Sequence, residues 1–130
     1  MIVIDASAGL EVLLRSAAGL RAEARMFAPG ESLHAPHLID VEIAQVLRRY
    51  ARSGQLTEAR CAEALTDWCA FRVHRYAHDW MLDRVWALRA NVTAYDSTYL
   101  ALAEALDAPL LTCDARLAAT PGHVAAIQLI

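Results

Sequence analysis

Asp5, Glu42, Asp96 and Asp114 each lie at the end of an apolar run or inside one. Asp5 closes Ile2-Val3-Ile4, and Glu42 lies in Leu38-Ile39-Asp40-Val41-Glu42-Ile43. Asp96 lies in Thr93-Ala94-Tyr95-Asp96-Ser97, ahead of another apolar stretch, and Asp114 follows Leu110-Leu111-Thr112-Cys113. A carboxylate among core residues is costly unless something offsets its charge. Four such positions point to one shared compensator, and the usual one is a hard divalent cation such as Mg²⁺. That combination is the chemistry of a metal-dependent nuclease.

Taken singly, each acid also has a structural reading. Asp5 or Asp114 could cap the helix that follows it. Asp96 could be a first-turn acid, favoured there by the helix dipole. Glu42 could be a boundary residue. Asp40 competes with it, because two positions apart on a helix do not face the same way. Asp79 and Asp83 read as solvent-face acids. His74 and His78 stand four apart, yet no His-Glu-x-x-His pattern surrounds them, so packing or surface roles are expected. Trp68, Trp80 and Trp86 read as core or interface residues. The three cysteines, Cys61, Cys69 and Cys113, lack Cys-x-x-Cys spacing and read as reduced, mostly buried thiols.

Composition narrows the alternatives. A chain of 130 residues is long enough for one domain with a real core. Its hydrophobic content of 57% and mean hydropathy of +0.27 leave apolar surface for a partner. No apolar run approaches the roughly 20 residues that span a bilayer, and no signal peptide is apparent. No membrane association and a cytoplasmic location are therefore expected. All 12 basic Lys+Arg positions are arginine. The missing lysine excludes a P-loop, Schiff-base chemistry and a kinase. It also counts against haloacid-dehalogenase phosphatases and receiver domains, whose usual patterns include one. A net charge of −3 is not that of a general nucleic-acid binder. RNA contact would need a local arginine patch, and Arg48, Arg49 and Arg52 come nearest to one.

The elements that must position the acids follow from periodicity and punctuation. Residues 2–5 read as a short buried strand. Ser7 can cap a helix to about residue 15. A second helix spans about 19–28 and stops at Pro29-Gly30. Residues 33–35 read as a short strand. Ile39, Ile43, Val46, Leu47 and Tyr50 recur at helical spacing, which predicts an amphipathic helix over 37–52. Thr57 opens a helix to about residue 70. Residues 71–74 alternate like a strand, 79–89 and 94–106 read as helices, and 109–112 as a strand. A turn of helix follows Asp114, and 124–130 form a last strand. Strands alternating with helices imply a parallel sheet covered on both faces. Ligands of such sheets bind beyond the carboxyl ends of the strands, where Asp5 and Asp114 would lie.

These segments resemble, over nearly the whole chain, a PIN-domain ribonuclease, and more closely a VapC-type toxin of a bacterial toxin–antitoxin pair. Ile2-Val3-Ile4-Asp5-Ala6-Ser7 matches the family's opening strand and first acid. Pro36-His37-Leu38-Ile39-Asp40-Val41-Glu42-Ile43-Ala44 resembles its "Pro, apolar, Glu-x-x" helix start, which selects Glu42 over Asp40. Tyr95 to Ala103 is close to "Tyr-Asp-Ala-x-Tyr-x-x-Leu-Ala", with Ser97 where alanine is frequent. Leu110 to Leu117 resembles "Leu-x-Thr-x-Asp-x-x-Leu", with Arg116 offering no extra acid.

The resemblance implies a three-layer α/β/α sandwich around a mainly parallel sheet. It implies Mg²⁺- or Mn²⁺-dependent endonucleolytic RNA cleavage, a cognate VapB-like antitoxin that masks the site, and a homodimer within a larger toxin–antitoxin complex. On this expectation Asp5, Asp96 and Asp114 contact metal, and Glu42 does so directly or through water. Ser7 and Thr112 support them with their hydroxyls, and Arg48 or Arg49 holds RNA backbone. A non-toxin PIN nuclease of RNA processing is a close rival, and a PIN-like binding module without catalysis is a further one. The intact acids argue against the module, and the small size favours the toxin.

Overall fold

In a computed structural model describing residues 1–130, Ile2–Ile4 (β1) and Leu110–Thr112 (β4) run side by side at the centre of a five-stranded sheet. Leu33–Pro36 (β2) pairs with the other edge of β1, Val73–Tyr76 (β3) with β2, and Ile127–Leu129 (β5) with β4. The order is β3-β2-β1-β4-β5, and every pairing is parallel. Parallel neighbours need crossover connections, and right-handed crossovers fix which face each helix covers. Ala6–Leu14 (α1), Ala17–Met26 (α2), Leu38–Ser53 (α3) and Glu58–Ala70 (α4) pack with one another around α1. Leu82–Ala87 (α5), Ala94–Leu106 (α6) and Ala115–Ala118 (α7) belong to the crossovers of the opposite face, with α6 packed over β1, β2 and β4. The expected three-layer α/β/α sandwich with a parallel sheet is the observed one.

Burial follows this layering. Every residue of β1, β2 and β4 is buried, while the edge strands β3 and β5 are partly exposed. That is why β1 reads as an unbroken apolar run and not as an alternating one. The sheet order reverses direction between β1 and β4. From β1 the chain moves outward to β2, and from β4 it moves the other way to β5. The helices leaving β1 and β4 therefore diverge and leave a crevice at their carboxyl ends.

Several boundaries differ from the sequence expectation, each for a local reason. β3 is Val73–Tyr76, two residues later than its alternation predicts, because its span follows its partner: Leu33 pairs with Val73 and Pro36 with Tyr76. Phe71 instead ends α4 and packs edge-on against Phe27 and Trp68. β5 is confined to three residues because β4 offers only three partners. The helix expected over 79–89 is a 3-10 turn over Asp79–Met81 followed by the short α5, with no capping side chain at either start. Ser7 does not cap α1; Asp5 does, through Ala8 N–H at 2.9 Å, and Ser7 lies within the first turn. Of the cysteines, all free, Cys61 is buried, Cys113 half-buried and Cys69 exposed, so burial was overestimated. Trp68 is core, whereas Trp80 and Trp86 stand exposed at 53% and 68%.

Candidate active site

A cleft of about 620 Å³ opens over the carboxyl edge of the sheet, and Asp5, Glu42, Asp96 and Asp114 all line it. Each arrives on a different segment. Asp5 follows β1, and its N–H still bonds to Leu111 O of β4 at 3.2 Å. Asp114 follows β4 and caps α7 through Arg116 N–H at 2.8 Å. Asp96 lies in the first turn of α6, which Thr93 caps through Asp96 N–H. Glu42 lies in the second turn of α3. The capping reading and the cleft reading are thus both true of Asp5 and Asp114: the local bond fixes the carboxylate that faces the cleft.

Hydroxyls staple the ends of β1 and β4 together. Asp5 accepts from Ser7 Oγ at 2.7 Å and, on its other oxygen, from Thr112 Oγ1 at 2.6 Å. The two hydroxyls in turn accept backbone donors of the next segment: Cys113 N–H reaches Ser7 Oγ at 2.8 Å, and Asp114 N–H reaches Thr112 Oγ1 at 2.9 Å. The position of Asp114 relative to Asp5 is therefore set by Ser7 and Thr112. With Ala8 N–H also on Oδ1 and Ser7 Oγ within 2.9 Å of Oδ2 as well, most of the lone pairs of Asp5 are already used.

Electrostatics tie the acids into one group. Burial raises the Asp5 pKa; its hydrogen bonds from Thr112, Ala8 and Ser7 oppose the rise, and the Asp114 charge adds to it. Burial likewise raises Glu42, opposed by Tyr99 and reinforced by the charges of Asp96 and Asp5. Asp96 is raised by burial, opposed by Thr93 and reinforced by Asp114. Mutual repulsion of carboxylates is the setting in which a divalent cation gains most. No three His, Cys, Asp or Glu side chains make a ready-made cage. The donor set is nevertheless all oxygen, and Mg²⁺ keeps several waters and asks for only one or two protein carboxylates. The residues present suit such an ion.

Asp40 lies apart from this group. It takes a two-pronged bond from Arg75, at 2.8 and 3.0 Å, and another from Trp68 Nε1 at 2.7 Å. Burial works against its charge, but these bonds outweigh it and hold its pKa below the usual aspartate value. Glu42, two positions on, faces the cleft instead, as the helical offset requires. Arg49 lines the cleft; Arg48 does not. His74 stacks on His34 with ring centroids 4.8 Å apart and is not paired with His78. Cys113 stands beside Asp114, yet burial first, with the charges of Asp5 and Glu11, pushes its thiol up to about 11, so it is no nucleophile at neutral pH.

Tyr99 escaped the sequence reading as a site residue. It is 1% exposed, and its hydroxyl donates to Glu42 Oε2. The signal was present: a tyrosine on an apolar stripe needs a partner for its hydroxyl. Tyr95, Gln45 and Tyr50 also line the cleft.

A profile of the PIN domain matches residues 2–122. The chain belongs to the PIN-domain family, in its VapC ribonuclease branch. It is 46% identical, over 92% of its length and 91% of the relative, to a VapC ribonuclease of Mycobacterium bovis. Two solved structures share the fold. VapC20 of Mycobacterium tuberculosis, described as a sarcin-ricin loop cleaving toxin, superposes with a TM-score of 0.69 at 15% identity, covering 95% of this chain and 97% of that one. VapBC2 of Rickettsia felis, bound to a DNA fragment from its promoter, gives 0.70 at 11%, covering 99% and 98%.

Proposed function

We propose that this VapC ribonuclease is a toxin that cuts cellular RNA endonucleolytically with Mg²⁺ or Mn²⁺ held by Asp5, Asp96 and Asp114, and by Glu42 directly or through water. One observation carries the reading: four acids from four separate segments line one cleft at the point where the sheet order reverses. A bound divalent cation supplies an activated water and neutralises charge developing on the phosphate. The chain's own residues do the rest. Thr112 and Ser7 hold Asp5 and the backbone of Asp114 in fixed relation. The first turn of α6 presents Asp96 with its dipole behind it. Arg49, on the cleft wall and over the Tyr50 ring at 5.7 Å, takes the RNA backbone. Arg48, exposed beside it, extends the same contact outside the cleft. The products carry a 5′-phosphate and a 3′-hydroxyl.

Partner binding belongs to the same reading. Leu10, Leu14, Val46 and Tyr50 extend the cleft as an apolar flank beside the acids. A VapB-like antitoxin that covers this flank and sets an arginine among the carboxylates would silence the site, and a homodimer is the unit that assembles with it. No helix is long and apolar enough to cross a membrane, and the reading places the activity in the cytoplasm, where RNA is available.

Antitoxin-free protein incubated with total bacterial RNA and Mn²⁺, beside an EDTA lane, tests this. Discrete new 5′-phosphate ends that vanish with EDTA are expected. Cutting that persists in EDTA, or that leaves 5′-hydroxyl ends, would refute it.

A further inference from the structure

Glu42 differs from the other three acids in how it is held. Asp5 is fixed by Ser7, Thr112 and Ala8, and Asp114 by the first turn of α7. Asp96 extends from a capped helix start. Glu42 has the longest and most flexible side chain of the four, and its carboxylate takes one hydrogen bond, from the Tyr99 hydroxyl to Oε2. Tyr99 itself does not move freely. Its ring is buried in the core in the middle of α6, one turn beyond Asp96. One helix therefore carries an acid of the cleft and the donor that reaches across to a second acid.

We propose that Tyr99 is a positioning residue for Glu42: its hydroxyl holds Oε2 and so orients the carboxylate on the cleft wall toward a divalent cation or water bound to it. This rests on the metal reading above. The physical gain is entropic and geometric. A free glutamate samples many rotamers, and freezing them on binding is unfavourable. Here the buried ring has already restricted them. Partners that orient a ligand from behind change metal affinity or activity by roughly 10- to 100-fold when removed. A tyrosine that merely satisfied its own hydroxyl would affect stability and nothing else.

The test is a Mn²⁺ titration, followed by thermal shift, of the wild type, Tyr99→Phe, Glu42→Gln and the double variant. Tyr99→Phe removes one oxygen and keeps the ring. It is expected to weaken apparent Mn²⁺ affinity by about 10-fold. In the Glu42→Gln background the same change is expected to weaken it no further, because two residues acting through one contact are not additive. Glu42→Asp leaves the core intact and draws the carboxylate back from the hydroxyl, so it should fall to the level of Tyr99→Phe. Unchanged affinity in Tyr99→Phe or in Glu42→Asp, or additive losses in the double variant, would overturn the inference alone. A wild type that shows no Mn²⁺ response would overturn the metal reading and the inference together.

Discussion

At the scale of single residues, the surroundings of Asp5, Glu42 and Asp96 disfavour their charged forms. Asp5 is 5% exposed, and burial raises it, Glu42 and Asp96, with charges of neighbouring acids adding to each rise. A carboxyl whose folded pKa is raised contributes stability that is complete below its unfolded pKa and lost as pH rises through the folded one. Without metal, these three acids therefore cost the fold most at neutral pH. Asp96→Asn removes one of them. Its metal-free melting temperature is expected to exceed that of the wild type at pH 7, with the gap closing as pH falls to about 4, the ordinary aspartate range. Thermal denaturation in EDTA across that range checks it; a gap that is flat with pH would mean the carboxylate feels no such field. The lowered pKa of Asp40 has the opposite sign, so its bond to Arg75 supports stability near neutrality and loses it in acid.

At the scale of elements, the site depends on how closely α2 returns against α1. Gly19 is the contact: a Cβ there would lie 2.0 Å from the Glu11 backbone oxygen. Ser16 caps α2 through Gly19 N–H at 2.8 Å, which fixes that turn in place. Gly19→Ala cannot be absorbed by a side-chain shift and is expected to destabilise by about 3 kcal/mol, measurable by urea unfolding. Leu10 and Glu11 of α1 line the cleft, so the same variant should also weaken its chemistry.

Much of this scale was legible in the sequence. Asp5 and Asp114 could be placed because an acid directly after an apolar strand lies at the carboxyl edge. The span of α6 was legible from the helical spacing of Tyr95, Tyr99, Leu102 and Leu106, although its Thr93 cap was not. Other features depend on distant partners, which local pattern does not carry. The register of β3 is set by β2, and the choice between Asp40 and Glu42 is set by Arg75, Trp68 and Tyr99. Resemblance, not periodicity, selected Glu42. The hydroxyl roles of Ser7 and Thr112 were expected, but the exchange of capping duty from Ser7 to Asp5 was not, since both residue types cap helices.

At the scale of the whole molecule, a chain of net charge −3 must bind a polyanion. The acids would repel RNA, and on the proposed reading a divalent cation would reverse the local sign where the phosphate must sit. On the same reading, Arg49 on the cleft wall would supply the remaining attraction. Metal, acids and substrate would thus form one interdependent set, in which none of the three would pair well without the third. Single-turnover cleavage of total bacterial RNA by wild type and Asp96→Asn, in saturating Mn²⁺ and with both proteins shown to be folded, tests that set most directly. The account predicts discrete cuts by the wild type and a loss of at least about 100-fold in the variant. Cutting by Asp96→Asn at the wild-type rate and sites would contradict it.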